Sequence, residues 1–177
     1  MNDVRAAELS SPLRLATAGA ALTLAAAALT TFGLDSEGLI YAGVCAVLAT
    51  VAAFDLEHQV IPNRIVFPAI GVALVARIAF FPDHAWVWPL AGLGAGLILF
   101  LPGLIRKGSI GMGDVKLAIL LGVALGGAVI TALLIASVSL APVALWILIT
   151  RGASARQDAI PFGPFLALGG ILAIFLA

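Results

Sequence analysis

Long apolar runs separated by short polar turns make up nearly the whole chain. The first four are Leu13–Phe32, Leu39 to about Glu57, Pro62 or Asn63 to Phe81, and a run that begins near Trp86 and Trp88 and ends at about Ile105. About 20 helical residues cross a hydrocarbon core of about 30 Å, because each residue adds 1.5 Å. Each run therefore predicts one transmembrane helix. Pro62 predicts the break between the second and third helices, because proline lacks a backbone donor.

The second half of the chain is less regular. Ile110–Leu125 holds 16 residues, which is short for a crossing, and Gly126-Gly127 predicts a turn before Ala128–Thr150. One bent or re-entrant element over 110–150 is the alternative. A last apolar run opens at Pro161 and reaches Ala177. The pattern predicts an all-α polytopic transmembrane helix bundle of about seven spans, with six as the alternative.

Composition leaves little room for a separate soluble domain. The 177 residues are 63% hydrophobic and 10% charged, against about 25% charged residues in soluble domains. We expect a short tail at residues 1–12 and one transmembrane domain at 13–177, with the lipid bilayer as its environment. The net charge of zero and the absence of a basic tract argue against a nucleic-acid partner. The single cysteine, Cys45, excludes Cys-x-x-Cys metal or redox motifs and is interpreted as a small core residue.

The charges of the turns predict which side of the membrane each end faces. With the N-terminus inside, seven crossings place eight of the 9 Lys and Arg residues at the inner ends: Arg5, Arg14, Arg64, Arg106, Lys107, Lys116, Arg151 and Arg156. The outer turns hold Asp35, Glu37, Asp83 and His84, and Arg77 is predicted to reach the outer surface by snorkelling. Basic residues accumulate in cytoplasmic loops. This pattern predicts a multi-pass protein of the cell membrane with its C-terminus outside.

Two acidic residues stand at span ends on the predicted cytoplasmic side. Asp55 closes the second run, and Asp114 opens the fifth, just after two glycines. Placing a carboxylate near the bilayer interior costs free energy, so such a side chain is usually paired with another group, hydrated or functional. Two carboxylates at contact distance share one proton, which suits aspartic proteolysis without a metal or another cofactor. We predict that Asp55 and Asp114 meet in one pocket as catalytic residues.

The residues beside each aspartate are candidates for shaping this pocket or contacting a substrate. They are Glu57, His58, Pro62, Asn63, Gly111, Gly113 and Lys116. A purely structural role remains open for each aspartate. Asp114 can cap the helix that starts at Val115, or pair with Lys116, Arg106 or Lys107. Glu57 and His58 are interpreted as rim residues, and Lys116 is predicted to snorkel to the inner surface.

Three sequence motifs resemble those of a known protein family. Asp55-Leu-Glu-His-Gln-Val-Ile-Pro-Asn63, Gly111-Met-Gly-Asp-Val-Lys-Leu117 and Ile160-Pro-Phe-Gly-Pro-Phe165 occur in this order. Together they strongly resemble the type IV prepilin peptidases, membrane aspartic proteases of the Gly-x-Gly-Asp group. The resemblance covers about residues 13–177. It implies an aspartic endopeptidase that removes a basic leader from prepilin-like membrane proteins at the cytoplasmic face, with Asp55 and Asp114 as the catalytic pair and no cofactor.

The chain also departs from the family pattern. Many members carry an N-terminal cytoplasmic domain, often with paired Cys-x-x-Cys motifs, that accompanies methylation of the new N-terminus. The sequence lacks those cysteines, and we expect a short, peptidase-only form similar to those of tight-adherence pilus systems. Asn63 occupies a position where the family commonly has aspartate. This difference leaves the predicted pair of Asp55 and Asp114 intact, and it argues against a role for a third carboxylate at position 63.

Two other functions compete with this interpretation. A small polytopic transporter would use Asp55 and Asp114 as a proton or ion relay, although no internal repeat is evident and both acids lie at one boundary. A related Gly-x-Gly-Asp protease that cuts residual signal peptides is the third hypothesis. Its members typically show a different proline motif in the last span. No feature of the sequence sets an oligomeric state or names the particular prepilin.

Overall fold

The computed structural model describes residues 12–105, 111–151 and 161–176, and every regular element in these ranges is helical. The seven α-helices are α1 Pro12–Phe32, α2 Ser36–His58, α3 Asn63–Phe80, α4 Val87–Ile105, α5 Met112–Leu125, α6 Val129–Arg151 and α7 Gly163–Leu176. The predicted all-α bundle is confirmed. The tail at 1–11, the basic loop at 106–110 and the polar loop at 152–160 lie outside the described residues.

Local chemistry explains where the first helices begin and end. Gly33 adopts a left-handed φ of 86° after α1, which glycine does without steric cost. The side chain of Asp35 then caps α2 by accepting the N–H of Gly38 at 2.9 Å. At the other end of α2, Gln59 also turns left-handed, and its N–H bonds to the carbonyl of Asp55. Pro62 occupies the N-cap of α3 and fixes the chain reversal there.

The predicted turn after Leu125 separates two helices. Gly126 has a φ of 59°, outside the α-helical region, and residues Gly126–Ala128 form a 3-10 turn before α6. A Cβ added at Gly126 would lie 2.9 Å from the ring of Trp88, which is too close for a side chain. Helices therefore lie on both sides of this turn over the described part of 110–150, two separate crossings there stay a prediction, and glycine is needed at the turn.

Close packing between neighbouring helices depends on small residues. A Cβ on Gly122 of α5 would collide with the backbone of Ala91 and Gly92 on α4. A Cβ on Gly169 of α7 would likewise collide with the Ala132 carbonyl of α6. Backbones approach closely where side chains are small, which is typical of helix contacts in membranes.

The protein is a multi-pass membrane protein by its helix lengths and apolarity. Five segments among the described residues are long and apolar enough to cross a bilayer, and the last of them, Met112–Ile147, includes α5 and most of α6. α7 is shorter, at 14 residues. The seven predicted segments are therefore present as helices, while seven separate crossings remain a prediction.

The bundle has two chemically distinct ends. We call the end where α2 finishes and α3 begins the site end, and the opposite end the far end. Phe32 contacts Tyr41 and Phe175 at the far end, so α1, α2 and α7 share it. Trp88 and Gly126 meet there as well. The sequence placed Asp35 and Glu37 at this end and the two aspartates at the other.

Arg77 differs from its prediction. Instead of snorkelling to the surface, its side chain is 1% exposed and lies inside the far end. Its Nε donates to the carbonyl of Ala124 at 2.9 Å, and its Nη1 approaches Glu37 Oε1 at 3.4 Å. The guanidinium also faces the ring of Trp88, at 4.5 Å from its centroid. Snorkelling is unnecessary here because the folded bundle supplies the acceptors and aromatic faces that water would supply at a surface.

Candidate active site

Asp55 is a buried carboxylate in the last turn of α2. It is 5% exposed, and its Oδ2 accepts the backbone N–H of Gly163 at 3.1 Å. Gly163 is the first residue of α7, where backbone donors lack partners within the helix. The positive N-terminal end of α7 therefore faces a carboxylate that arrives from another helix.

Asp114 lies in the first turn of α5 and is partly buried. Its carboxylate accepts the backbone N–H of Gly111, the N-cap residue, and interacts electrostatically with Asp55. The alternative that Asp114 caps a helix starting at Val115 is wrong, because the helix begins at Met112 with Gly111 as its N-cap and Asp114 lies inside the first turn. The structure thus places both aspartates at the site end.

The glycines of the second motif permit close approach. A Cβ on Gly113 would lie 2.8 Å from Cβ of Ile61, so a side chain there would push the 59–62 turn away from α5. A Cβ on Gly111 would lie 3.1 Å from Oδ2 of Asp114. Gly113 therefore joins the first and second motifs through packing, and Gly111 shapes the carboxylate's surroundings.

Lys116 bonds to the first motif rather than to an aspartate. Its Nζ donates to Oδ1 of Asn63 at 2.8 Å and lies 5.2 Å from the centroid of the Phe67 ring. The alternative that Lys116 pairs with Asp114 is therefore wrong. Pairing of Asp114 with Arg106 or Lys107 falls outside the described residues.

Glu57, His58 and Pro62 occupy the edge of the site. Glu57 and His58 are exposed and lie 3.7 Å apart, measured from Oε2 to Nδ1. Among the described contacts, neither bonds to Asp55 or Asp114. Pro62 holds the start of α3, where its carbonyl accepts the N–H groups of Ile65 and Val66. These residues shape the chain reversal and the rim, as the sequence predicted for Glu57 and His58.

Two residues of the site escaped sequence reasoning. Ile61, which packs against Gly113, is one apolar residue among many and carries no distinguishing signal. Gly163 touches Asp55 directly, and its position between Pro161 and Pro164 was a usable signal, because a glycine flanked by prolines often marks a constrained backbone. The sequence singles out the motif at 160–165, but the contact of Gly163 with Asp55 depends on the tertiary fold.

The arrangement is suited to acid–base chemistry. Three chain segments meet around two carboxylates at one end of the bundle, and the bonds to Gly163 and Gly111 orient one oxygen of each. Two carboxylates at one end of the bundle can supply the acid and the base that a hydrolytic reaction needs. Among the described residues, no group of three His, Cys, Asp or Glu side chains is placed to hold a metal ion.

A family model described as the type IV leader peptidase family matches residues 42–145, which include Asp55 and Asp114. The chain belongs to this family. The expected resemblance is thereby confirmed over more than half of the sequence. The third motif and α7 lie beyond the matched residues, and their link to the site comes from the bond between Gly163 and Asp55.

Curated members of the type IV leader peptidase family resemble the chain over most of its length. A prepilin leader peptidase/N-methyltransferase of Burkholderia pseudomallei is 36% identical over 158 residues, covering 86% of this chain and 51% of the relative. The protein with the same name from Bacillus subtilis is 32% identical over 151 residues, covering 85% and 60%. The chain thus spans about half the length of the curated relatives it matches. No solved structure matches it.

Proposed function

We propose that the protein is an aspartic endopeptidase that removes the leader peptide from prepilin-like membrane proteins at the cytoplasmic face of the cell membrane. The observation that carries this proposal is that two carboxylates, Asp55 and Asp114, lie at the same end of an apolar bundle, where the backbone of Gly163 bonds to Asp55. The relatives described above are named prepilin leader peptidase/N-methyltransferase, which agrees with it. Residues 13–177 would form the peptidase domain.

The proposed mechanism uses one proton shared by two carboxylates. The ionised aspartate takes a proton from a water molecule while the water oxygen bonds to the carbonyl carbon, and the neutral aspartate protonates the carbonyl oxygen. The tetrahedral intermediate then breaks its C–N bond as one carboxyl group protonates the leaving amine and the other carboxylate takes a proton from a hydroxyl group of the intermediate, which restores the starting pair. All steps use water and the two side chains, so no cofactor is required.

The position of the pair predicts the kind of bond that is cut. Asp55 and Asp114 stand at helix ends rather than at mid-depth. A peptide bond just before an apolar helix of the substrate would lie at the same height. That bond must be locally extended, because a helical carbonyl is already hydrogen-bonded within its own helix. Exposed Glu57 at the rim is suited to attracting a basic leader.

The cytoplasmic orientation rests on the charges of the turns. Arg64 and Lys116 lie at the site end, whereas Asp35 and Asp83 lie in far-end turns. Basic loops remain on the cytoplasmic side during insertion. The aspartates would therefore face the compartment in which a newly made prepilin displays its leader.

Co-expression with a candidate prepilin from the same genome tests the proposal. We expect the wild-type protein to remove the leader, while Asp55→Asn and Asp114→Asn variants accumulate in the membrane without removing it. Leader removal is scored by the mass of the prepilin. Processing by either variant at the wild-type level would refute the catalytic assignment, and solute uptake into proteoliposomes without cleavage would favour the transporter alternative.

A further inference from the structure

An apolar groove runs between α2 and α3 along the side of the bundle. Its cavity volume is about 460 Å³, and its walls include Leu39, Gly43 and Val47 from α2 and Ile65, Ala69 and Ala73 from α3. Leu120 of α5 contributes to its lining. Apart from Ser36 at one end, the lining residues are apolar, and the helices that form the walls are long and apolar enough to cross a membrane. The groove is therefore open to the interior of the bilayer rather than to water.

The groove is shaped for a helix. Gly43 is exposed, and a Cβ added there would meet no atom within 4 Å. The opposite wall presents Ala69, Ala73 and Ala76. Small residues on both walls let a helix backbone approach closely, which is how helices associate in membranes. Between Ser36 and Val47 the α2 wall is about 17 Å long, since each helical residue adds about 1.5 Å.

A second, independent observation links the groove to the aspartates. Its α3 wall begins at Ile65, two residues after Asn63, and Asn63 is bonded to Lys116 on the helix that carries Asp114. On the α2 wall, Val47 and Asp55 belong to one helix and are separated by about 12 Å of its axis. A helix lying in the groove and continuing about 12 Å past Val47 would therefore reach the level of Asp55.

We infer that this groove is the docking surface for the apolar helix of the membrane-protein substrate. This inference rests on the proposed function, because it concerns how the cleaved bond reaches Asp55 and Asp114. An apolar helix held between α2 and α3 presents the bond preceding its first turn to the site end. The leader then extends past Glu57 into water. The groove thus fixes the depth of the substrate, and its occupant is the substrate's helix rather than a lipid chain.

The inference is tested by filling the groove at Gly43 without disturbing the fold. A Cβ added at position 43 would meet no atom within 4 Å, so the Phe side chain can be accommodated there. Gly71 on α3 is the matched control, because it is also exposed and also has space for a Cβ but lies outside the groove. The purified Gly43→Phe and Gly71→Phe variants are assayed in liposomes with a full-length prepilin that the wild-type protein cleaves. We expect Gly43→Phe to raise KM about tenfold with kcat changed less than about twofold, the size of losing one central contact. Gly71→Phe should match the wild type.

Disulfide crosslinking supplies a second measurement. Cysteine is placed at position 43 or 71 in a Cys45→Ser, Asp55→Asn background, and a cysteine is moved along the substrate's apolar helix. Crosslinks from position 43 that recur every three or four substrate residues, with none from position 71, would support the inference. Equal KM values for the two Phe variants, or crosslinks of equal yield from both positions, would overturn it and indicate a lipid-filled groove. Because the wild type must cleave in the same assay, such a result would leave the proposed function standing.

Discussion

Gly163 shows how strongly the site depends on one missing side chain. A Cβ at this position would lie 2.6 Å from Oδ2 of Asp55 and 2.9 Å from its Cγ, so Gly163→Ala must displace the carboxylate. We expect leader cleavage to fall about 100-fold, because a shift of about 1 Å in a catalytic group costs that order. The rate of cleavage in purified protein measures this. Gly71→Ala, which adds a Cβ in open space, is the control, and equal rates for the two variants would contradict the described contact.

At the residue scale, charge made part of the site predictable from sequence. Asp55 and Asp114 were recognisable because a carboxylate is costly beside an apolar run. The hydrogen-bond partner of Lys116 was not recognisable from sequence. Asn63 is distant from Lys116 in the chain, whereas Asp114 lies two residues before Lys116 and is the more obvious candidate. Ile61 contributes through packing alone, and shape complementarity of this kind leaves no mark on a hydropathy pattern.

At the element scale, α5 is held at both of its ends. Gly113 packs against Ile61 near the first turn, and Arg77 donates to the carbonyl of Ala124 near the last. The cation also complements the negative C-terminal end of the helix. Helix α5 carries Asp114, and these two contacts set its axial position against α3 and the 59–62 turn.

Arg77→Met should loosen the far end while leaving the chain inserted. We expect the variant to lose about 1–3 kcal/mol of stability, the cost of leaving a buried acceptor such as the Ala124 carbonyl without its donor. Thermal unfolding in detergent micelles measures the loss. Arg64→Met, which removes an exposed arginine from the same helix, is the control. Unfolding of both variants at the same temperature would show that the buried contacts contribute nothing.

The helices themselves followed well from the sequence. Their ends fell within a few residues of the predicted ones because proline, glycine and charged residues interrupt the apolar runs at the turns. Arg77 was placed wrongly because its surroundings come from three other segments: Glu37 and Tyr41 on α2, Trp88 on α4 and Ala124 on α5. A pattern along one helix predicts depth and does not predict the partners brought by neighbouring helices.

At the scale of the whole molecule, cleavage at the cytoplasmic face requires the two ends of the bundle to face different compartments. Val60 is exposed at the site end, and Asp83 is exposed in the far-end turn. The native Cys45 is fully buried and should not react. We expect a membrane-impermeant maleimide to label Asp83→Cys in intact cells and Val60→Cys only after the membrane is opened. Labelling of Val60→Cys in intact cells would place the aspartates on the outer side.

The claim that Asp55 and Asp114 act as one catalytic pair is tested most directly by the rates of leader removal in purified wild-type protein, the two single Asn variants and the double variant. Groups that act as a unit have non-additive effects, so we predict that each single substitution lowers the rate at least about 1,000-fold and that the double substitution lowers it little further. A single variant that retains more than about a tenth of the wild-type rate would contradict the account, because one aspartate alone would then suffice.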